Sequence, residues 1–478
     1  MITATKRERI ADILQKKEIG KRISLYGWVR TRRDSKGGFS FLEINDGSCL
    51  RNLQVVADKK LPNYENEVLK LNVGSSVMVK GIIVASPGRK QDIELQAEEI
   101  KVIGWADPEQ YPLQKKRHSF EFLRTIPHLR VRTNTFGAVA RIRNAISYAI
   151  HSFFQERGFI YVHTPIITAN DCEGAGEVFK VTTFDLSDIP KKKDGSVDFS
   201  EDFFGQQAYL TVSGQLEAEA YALALGDVYT FGPAFRADNS NTPRHLAEFW
   251  MVEPEMAFSG IERAIKVAEE LIKYLLSFVL DHCKEDLEFF NRFIESSNLN
   301  QIQKGIEQDF ARITYTEAIE ILSKAEKQFQ YPVEWGCDLK TEHERYICEE
   351  VFNKPTIITD YPKEIKPFYM KLNQDGETVM AMDILVPRVG EIVGGSQRED
   401  DYETLLMRMK EQGVNPKDYW WYLELRKFGS APHAGFGLGF DRFIQFITGL
   451  SNIRDVIPFP RTPNNLGFLN KRVYGSDI

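Results

Sequence analysis

The sequence predicts an α+β protein, in which a small closed barrel of five strands precedes a larger domain with a mixed, mainly antiparallel sheet flanked by helices. Three observations lead there. Residues 23–103 hold five short runs rich in β-branched and aromatic residues, separated by turn signals. A long helical pattern follows at 138–157. Beyond it, strands and helices come in runs, without the regular alternation of a parallel βαβ fold.

The strand runs are 23–30, 39–44, 50–56, 76–85 and 93–102. Lys36-Gly37-Gly38, Asp46-Gly47-Ser48, Asn72-Val73-Gly74 and Ser86-Pro87-Gly88 break them, and a more helical link is expected at 61–71. Five short strands with one longer link suit a barrel of the oligonucleotide-binding type, whose open face can stack bases. Phe39, Phe41 and Gln54 fall on the middle strands, near Arg32 and Arg33. Alternation allows one phenylalanine, but hardly all three residues, to fill the core on one face. Pro108, Pro112 and Pro127 punctuate a connector, which gives domains at 1–104 and 135–478 with a hinge at 105–134. The helical pattern ends at Gly158, and a strand-like segment at 159–162 leads to Thr164-Pro165. Residues 183–207 read as a polar insertion, then strands dominate to about 258. Residues 261–330 read as a helical insertion.

A chain of 478 residues suits two domains with insertions. No stretch approaches the ~20 apolar residues that span a bilayer; the best, at 271–280, contains Lys273. Lys6, Arg7, Glu8, Arg9 and Asp12 leave no apolar core for a signal peptide. Cys49, Cys172, Cys283, Cys337 and Cys348 fit neither a disulfide framework nor a CxxC zinc site, so a cytoplasmic protein with reduced thiols is expected. The net charge of −7 hides an asymmetry. Residues 1–104 carry 19 Lys+Arg against 13 Asp+Glu, and the junction adds Lys115, Lys116, Arg117, Arg124, Arg130 and Arg132. A polyanion meets favourable potential there, although the same composition suits a solvated face.

Three segments carry chemistry. Residues 235–256 read as a hairpin that sets Arg236, Arg244 and His245 beside Phe249. A guanidinium fork matches phosphate oxygens, and a ring can stack on a purine. Residues 435–442 place glycines at alternate positions of a strand, where a backbone or flat ligand can approach, just before Arg442. The spacing is not the GxGxxG of a dinucleotide fold. In residues 381–399, Asp383 and Glu391 lie in an otherwise apolar strand region. They either pair with arginines or bind a cation, and hard oxygen ligands near phosphates point to magnesium.

In this order the three segments resemble the signature motifs of class II aminoacyl-tRNA synthetases. Arg157-Gly158-Phe159 through Pro165 resembles that class's dimer-interface motif, and a barrel ahead of the catalytic domain matches the subgroup for aspartate, asparagine and lysine. Within the subgroup, Asp171-Cys172-Glu173-Gly174-Ala175-Gly176-Glu177, Val212-Ser213-Gly214-Gln215-Leu216, 247–256 and 452–461 resemble the asparagine branch. The likeness covers nearly the whole chain. One departure is Arg388, where glycine is expected.

The resemblance implies a homodimer that activates L-asparagine with ATP and Mg²⁺ and transfers it to the tRNA for asparagine. It implies Arg236 on the α-phosphate and Arg442 on the γ-phosphate as catalytic residues, with Asp238, Arg244, His245 and Phe249 completing the ATP site. Asp383 and Glu391 are implied as metal ligands. Glu173, Ser213, Gln215 and Glu253 are implied around the amino acid's ammonium group. Aspartate enzymes of the subgroup carry a lysine three residues after the glutamine, where this chain has Ala218. Glu219 beside it is expected to accept from the carboxamide nitrogen, with Arg398 donating to its oxygen. On the barrel, Phe41 and Gln54 match positions used on the anticodon's middle base, with Phe39, Arg32 and Arg33 as neighbours. Rival readings are an aspartate-activating enzyme of relaxed specificity, an asparagine-forming ligase, whose relatives lack the barrel, and a non-catalytic RNA-binding module.

Overall fold

The computed structural model describes residues 7–88, 91–170, 172, 177–240 and 242–466. These form two compact units, the first running to Arg141 and the second starting at Ile142, within the helix Asn134–Glu156.

In the first unit, β1 (Arg22–Ser35), β2 (Phe39–Asn45), β3 (Leu53–Asp58), β4 (Ser76–Ala85) and β5 (Ile93–Gly104) close into a barrel in the order β1-β2-β3-β5-β4. Only β3 and β5 run parallel. Alternation is strict on the middle strands. Leu42, Ile44, Leu53, Val55 and Ala57 point inward, which leaves Phe39, Phe41 and Gln54 on the outer face. The expected helical link is only the short 3₁₀ turn Val68–Lys70. Its neighbours Asn63 and Tyr64 are tied down elsewhere: Asn63 Nδ2 donates to the Ile100 carbonyl at 2.8 Å, and the Tyr64 hydroxyl lies 2.9 Å from Ser40 Oγ. These long-range bonds pin the link to β5 and β2, so tertiary contacts rather than helix propensity set its backbone.

In the second unit, β6 (Ile160–Tyr161) joins an eight-stranded sheet, while β7 (Ile167–Thr168), β8 (Lys180–Val181) and β9 (Ala208–Leu210) make a small separate one. The large sheet continues with β10 (Asp227–Phe235), β11 (Glu248–Ala257), β12 (Ala311–Thr314), β13 (Thr356–Pro362), β14 (Thr378–Val386), β15 (Gly390–Gln397) and β16 (His433–Gly439). Its order is β12-β13-β14-β15-β16-β11-β10-β6, antiparallel through the centre and parallel at both edge pairs. The helix Ile261–His282 packs on β14, β15 and β16, burying Ala268, Leu271, Ile272 and Leu275. The fold is therefore the expected α+β arrangement.

Two local expectations change. The stretch read as strands up to 258 contains the helix Gln215–Leu225, built from Ala, Leu and Glu and ended by Gly226 at φ +93°. The region read as all helix, 261–330, contains β12, an edge strand paired with β13.

Candidate active site

The central strands meet around a cavity of about 1050 Å³. Met251, Glu253 and Glu255 are alternate residues of β11, so they share the sheet face that lines it. Arg236, at the end of β10, lines both this cavity and a smaller neighbouring pocket that adds His245, Phe249 and Arg442. The β10–β11 hairpin, the Gly-rich β16 and the β14–β15 hairpin thus converge as the three sequence segments require.

At the arginine-rich end, the Arg236 guanidinium lies 5.6 Å from the Phe249 ring centroid. Arg442 opens the helix Phe440–Thr448, and its Nη1 donates to Glu391 Oε2 and to the Glu391 carbonyl, each at 3.1 Å. Arg244 pairs with buried Glu344 at 3.0 Å and donates to Thr341 Oγ1. Asp238 lies beside Glu177 and raises the Glu177 carboxyl. His245 bonds Thr242 Oγ1 through Nδ1. Burial first, and then the charges of Arg442 and Arg244, push the His245 imidazole below its ordinary value. It is therefore a neutral polar group at pH 7, rather than a third cation.

The other end is built on Glu253. Its carboxylate accepts from the Gly214 N–H at 3.1 Å, from Thr230 Oγ1 at 3.1 Å and from Ser213 Oγ. Gln215 lines the cavity too, and its Nε2 donates to Glu219 Oε1 at 3.0 Å. Glu219 is fully buried and does not line the cavity. Besides Gln215 it accepts from the Tyr422 hydroxyl at 2.7 Å, Arg426 Nη2 at 2.8 Å and His433 Nε2 at 2.9 Å. Burial pushes the Glu219 carboxyl up, but Arg426, His433 and Arg398 outweigh it and hold the group well below the carboxylate range. With its acceptor sites filled, Glu219 has none left for a substrate amide. This corrects the expected contact. Ala218 is likewise turned into an apolar cluster with Val162, Ala222 and Val228.

Glu255 stands where Glu219 was expected. It lines the cavity and takes two bonds from Arg398, Nε to Oε2 at 3.2 Å and Nη2 to Oε1. Arg398 Nη1 also donates to Ser396 Oγ at 2.7 Å, and its Nε lies 3.9 Å from Glu219. Burial pushes the Glu255 carboxyl up to about 7, against the pull of Arg398. Gly435 makes room for it, because a Cβ there would lie 2.2 Å from Glu255 Oε1.

Asp383 and Glu391 lie close together across Gly394. A Cβ on Gly394 would stand 3.4 Å from Asp383 Oδ1 and 3.2 Å from Glu391 Oε1. Only glycine leaves this oxygen-lined cradle open, and its hard donors fit a divalent cation of the Mg²⁺ type. Burial raises the Asp383 carboxyl; at Glu391, Arg442 and Lys366 outweigh burial and lower it. Among the described residues no group of three or more His, Cys, Asp or Glu side chains is arranged to hold a metal by itself. Phosphate oxygens and water would have to complete the shell. Arg388, two residues before Gly390, adopts φ +70° in the β14–β15 turn, which explains why glycine is expected there. Its side chain leaves the site and donates to Asn298 Oδ1 at 2.7 Å and to the Phe446 carbonyl at 3.1 Å.

On the barrel, the Phe39 and Phe41 rings meet edge to face at 5.2 Å, and the Arg33 guanidinium is 5.9 Å from the Phe41 centroid. Gln54 Nε2 donates to Glu94 Oε2 at 2.9 Å. Arg32 is turned back on the 3₁₀ turn, donating to the Leu69 carbonyl. Pro165 is exposed, followed by exposed Ile166 and Ile167, with Tyr148 and Ile160 also exposed. Glu173 lies outside the described residues.

Sequence reading missed Glu255, Glu344, Lys366, Tyr422, Arg426 and Asp441. Asp441 accepts from the Trp250 N–H at 2.9 Å and pairs with Arg143, which anchors the helix of Arg442. Only Glu255 carried a signal, its place two residues after Glu253 on one strand face.

Comparison with known proteins agrees with this geometry. A family model described as "tRNA synthetases class II (D, K and N)" matches residues 120–463, and one described as "OB-fold nucleic acid binding domain" matches 23–103. An asparagine–tRNA ligase from Picosynechococcus sp. is 61% identical over 460 residues, 96% of this chain and all of that protein. One from Acetivibrio thermocellus is 60% identical over 94% of this chain and 97% of its own length. The crystal structure of asparaginyl-tRNA synthetase from Pyrococcus horikoshii, complexed with asparaginyl-adenylate, superposes with a TM-score of 0.84 at 36% identity, covering 98% of this chain and all of that one. Among the described residues, no helix is long and apolar enough to cross a membrane. The chain belongs to the class II tRNA synthetases of the aspartate, lysine and asparagine group.

Proposed function

We infer that this protein attaches L-asparagine to the tRNA for asparagine in two steps. Asparagine's carboxylate attacks the α-phosphate of ATP and releases pyrophosphate. The terminal ribose hydroxyl of the tRNA then displaces AMP from asparaginyl-adenylate. The observation that carries the choice of amino acid is the Arg398–Glu255 pair lining the cavity, beside Glu253 and Ser213. A carboxamide can accept from Arg398 and donate to Glu255. An aspartate carboxylate would meet the Glu255 charge instead. Glu219 acts one layer behind, where its network with Tyr422, Arg426 and His433 orders Arg398 and Gln215.

Catalysis rests on positioning and on neutralising phosphate charge, with no covalent enzyme intermediate. Arg236 serves the α-phosphate and Arg442 the γ-phosphate, Phe249 stacks on adenine, and Arg244, His245 and Asp238 hold the rest of the nucleotide. Asp383 and Glu391 are the residues suited to hold Mg²⁺, which supplies charge neutralisation at phosphate oxygens. Phe41, Gln54 and Phe39 offer the barrel's stacking and hydrogen-bonding face to anticodon bases, with exposed Arg33 nearby. The exposed apolar strip around Pro165 fits a homodimer contact. A cytoplasmic setting is proposed from five cysteines whose odd number and scattered spacing do not suit a disulfide framework.

ATP–pyrophosphate exchange with each of the 20 amino acids, without tRNA, tests this reading. Exchange with asparagine alone, abolished by chelating the divalent cation, is expected. Exchange with aspartate at comparable efficiency overturns the assigned selectivity.

A further inference from the structure

Lys366 is a half-buried cation to which the scheme above gives no task. It follows the 3₁₀ turn Lys363–Ile365, and Gln412 Nε2 donates to its carbonyl at 2.8 Å, which holds the backbone in place. Its Nζ lies 3.9 Å from the Tyr361 ring centroid and donates to Asp383 Oδ2 at 2.8 Å. The side chain is 17% exposed and lines the same cavity as Arg236, Asp383 and Glu391.

Its neighbours define its chemistry. Each of three carboxylates at this end of the site is matched by one cation: Lys366 on Asp383, Arg442 on Glu391 and Arg244 on Glu344. These three pairs are therefore close to neutral. A divalent ion approaching Asp383 and Glu391 meets cations already seated on them. A triphosphate meets cations whose charge is already partly spent on carboxylates. Bound together, the two ligands resolve the conflict, because phosphates draw the cations away and free the carboxylates for the metal. Such mutual release is a positive coupling free energy between two ligands.

We propose that Lys366 exchanges between Asp383 and the phosphate chain of ATP, making it a further phosphate-binding cation of the site and the competitor of the divalent ion for Asp383. The proposal rests on the assignment of that ion to Asp383 and Glu391. Arg442 and Arg244 pair with carboxylates in the same way, but Lys366 alone sits on Asp383 with an ammonium, a point charge that can turn among several oxygens without a fixed fork.

Direct binding measurements on the full chain test it. Mn²⁺ binding is followed by electron paramagnetic resonance without nucleotide, and binding of a non-hydrolysable ATP analogue is followed by calorimetry. The proteins are the wild type, Lys366→Met, Lys366→Arg and Asp383→Asn. Methionine keeps the stem against Tyr361 and removes the charge. Lys366→Met is expected to tighten Mn²⁺ by at least about tenfold, since a unit charge leaves the carboxylate. It is also expected to weaken the analogue by a similar factor, while Lys366→Arg, which keeps the charge but not the ammonium's freedom to turn, shifts each affinity by less. Mn²⁺ affinity that is unchanged or weaker in Lys366→Met overturns the proposal, provided Asp383→Asn abolishes Mn²⁺ binding. Mn²⁺ binding indifferent to Asp383→Asn overturns the metal assignment, and the proposal with it.

Discussion

Replacing Glu255 with glutamine tests the proposal that its charge separates asparagine from aspartate. The side chain keeps its size and one carbonyl acceptor, so a bound carboxamide can still donate to it. What disappears is a carboxylate that is fully buried and held by Arg398 through two bonds. A second carboxylate at about 4 Å, in an effective dielectric of about 20, would be repelled by about 4 kcal/mol. Arg398 attracts the same carboxylate and offsets part of this, and a carboxyl that titrates at about 7 can protonate at pH 8 for about a tenfold cost, so the net effect at that pH is taken as a loss of about tenfold in discrimination. The assay is ATP–pyrophosphate exchange, with kcat/KM measured for asparagine and for aspartate in wild type and Glu255→Gln. At pH 8 the ratio should fall by about tenfold through a gain with aspartate. Titration of Glu255 gives a second handle. Its carboxyl is pushed up to about 7 by burial, so it is increasingly protonated as pH falls below that value. A protonated Glu255 neither repels aspartate nor lacks a proton to donate to it. Aspartate activation by the wild type should therefore rise as pH drops from 8 to 6, and Glu255→Gln should flatten that dependence. A ratio shifted by less than about threefold, with asparagine activity intact, refutes the role given to Glu255.

Two further outcomes follow from placements elsewhere. Phe41→Ala removes a ring on the outer face of the barrel, not from its core, so the thermal midpoint should hold within a few degrees and pyrophosphate exchange should be spared. Aminoacylation should drop by about tenfold or more through the KM for tRNA, in keeping with about 1–3 kcal/mol per stacked base; equal loss of exchange refutes the anticodon role. Arg388→Gly relieves a left-handed conformation that costs a non-glycine residue about 1–2 kcal/mol. It also removes donation to Asn298 and to the Phe446 carbonyl near the helix end, about 1.5–3 kcal/mol for each charge-assisted bond. The balance predicts a net destabilisation in urea unfolding, and a more stable variant refutes the view that the side chain holds this turn in place.

The barrel was legible because its signals are local and repeated. Alternation on β2 and β3, with glycine-rich turns between strands, places the core on one face and Phe39, Phe41 and Gln54 on the other without reference to the rest of the chain. The helix Gln215–Leu225 was not legible in the same way. Eleven residues are barely three turns, and its buried side includes Gln215 and Glu219 as well as Leu216, Ala218 and Ala222, so no clean apolar stripe marks it. Strand β12 has four residues and depends on pairing with β13, some 45 positions later in the chain. Non-local pairing of that kind leaves almost no trace in a short window.

Glu219 shows how sequence adjacency fails at a site and how strand register succeeds. Glu219 follows directly on Ala218, the position that stands where aspartate enzymes of the subgroup carry a lysine. On a helix, residues four apart share a face, so Gln215 and Glu219 lie on one side at different depths. Gln215, one turn earlier, lines the cavity, while Glu219 extends behind it into the buried network with Tyr422, Arg426 and His433. On β11 the rule is different. Residues two apart share a face, so recognising Glu253 as a site residue already implies that Met251 and Glu255 border the same space. The strand motif therefore contained the second acidic residue. What it could not contain was Arg398, just past the end of β15 and with β16 between that strand and β11, whose two bonds offset the cost of burying the Glu255 carboxylate.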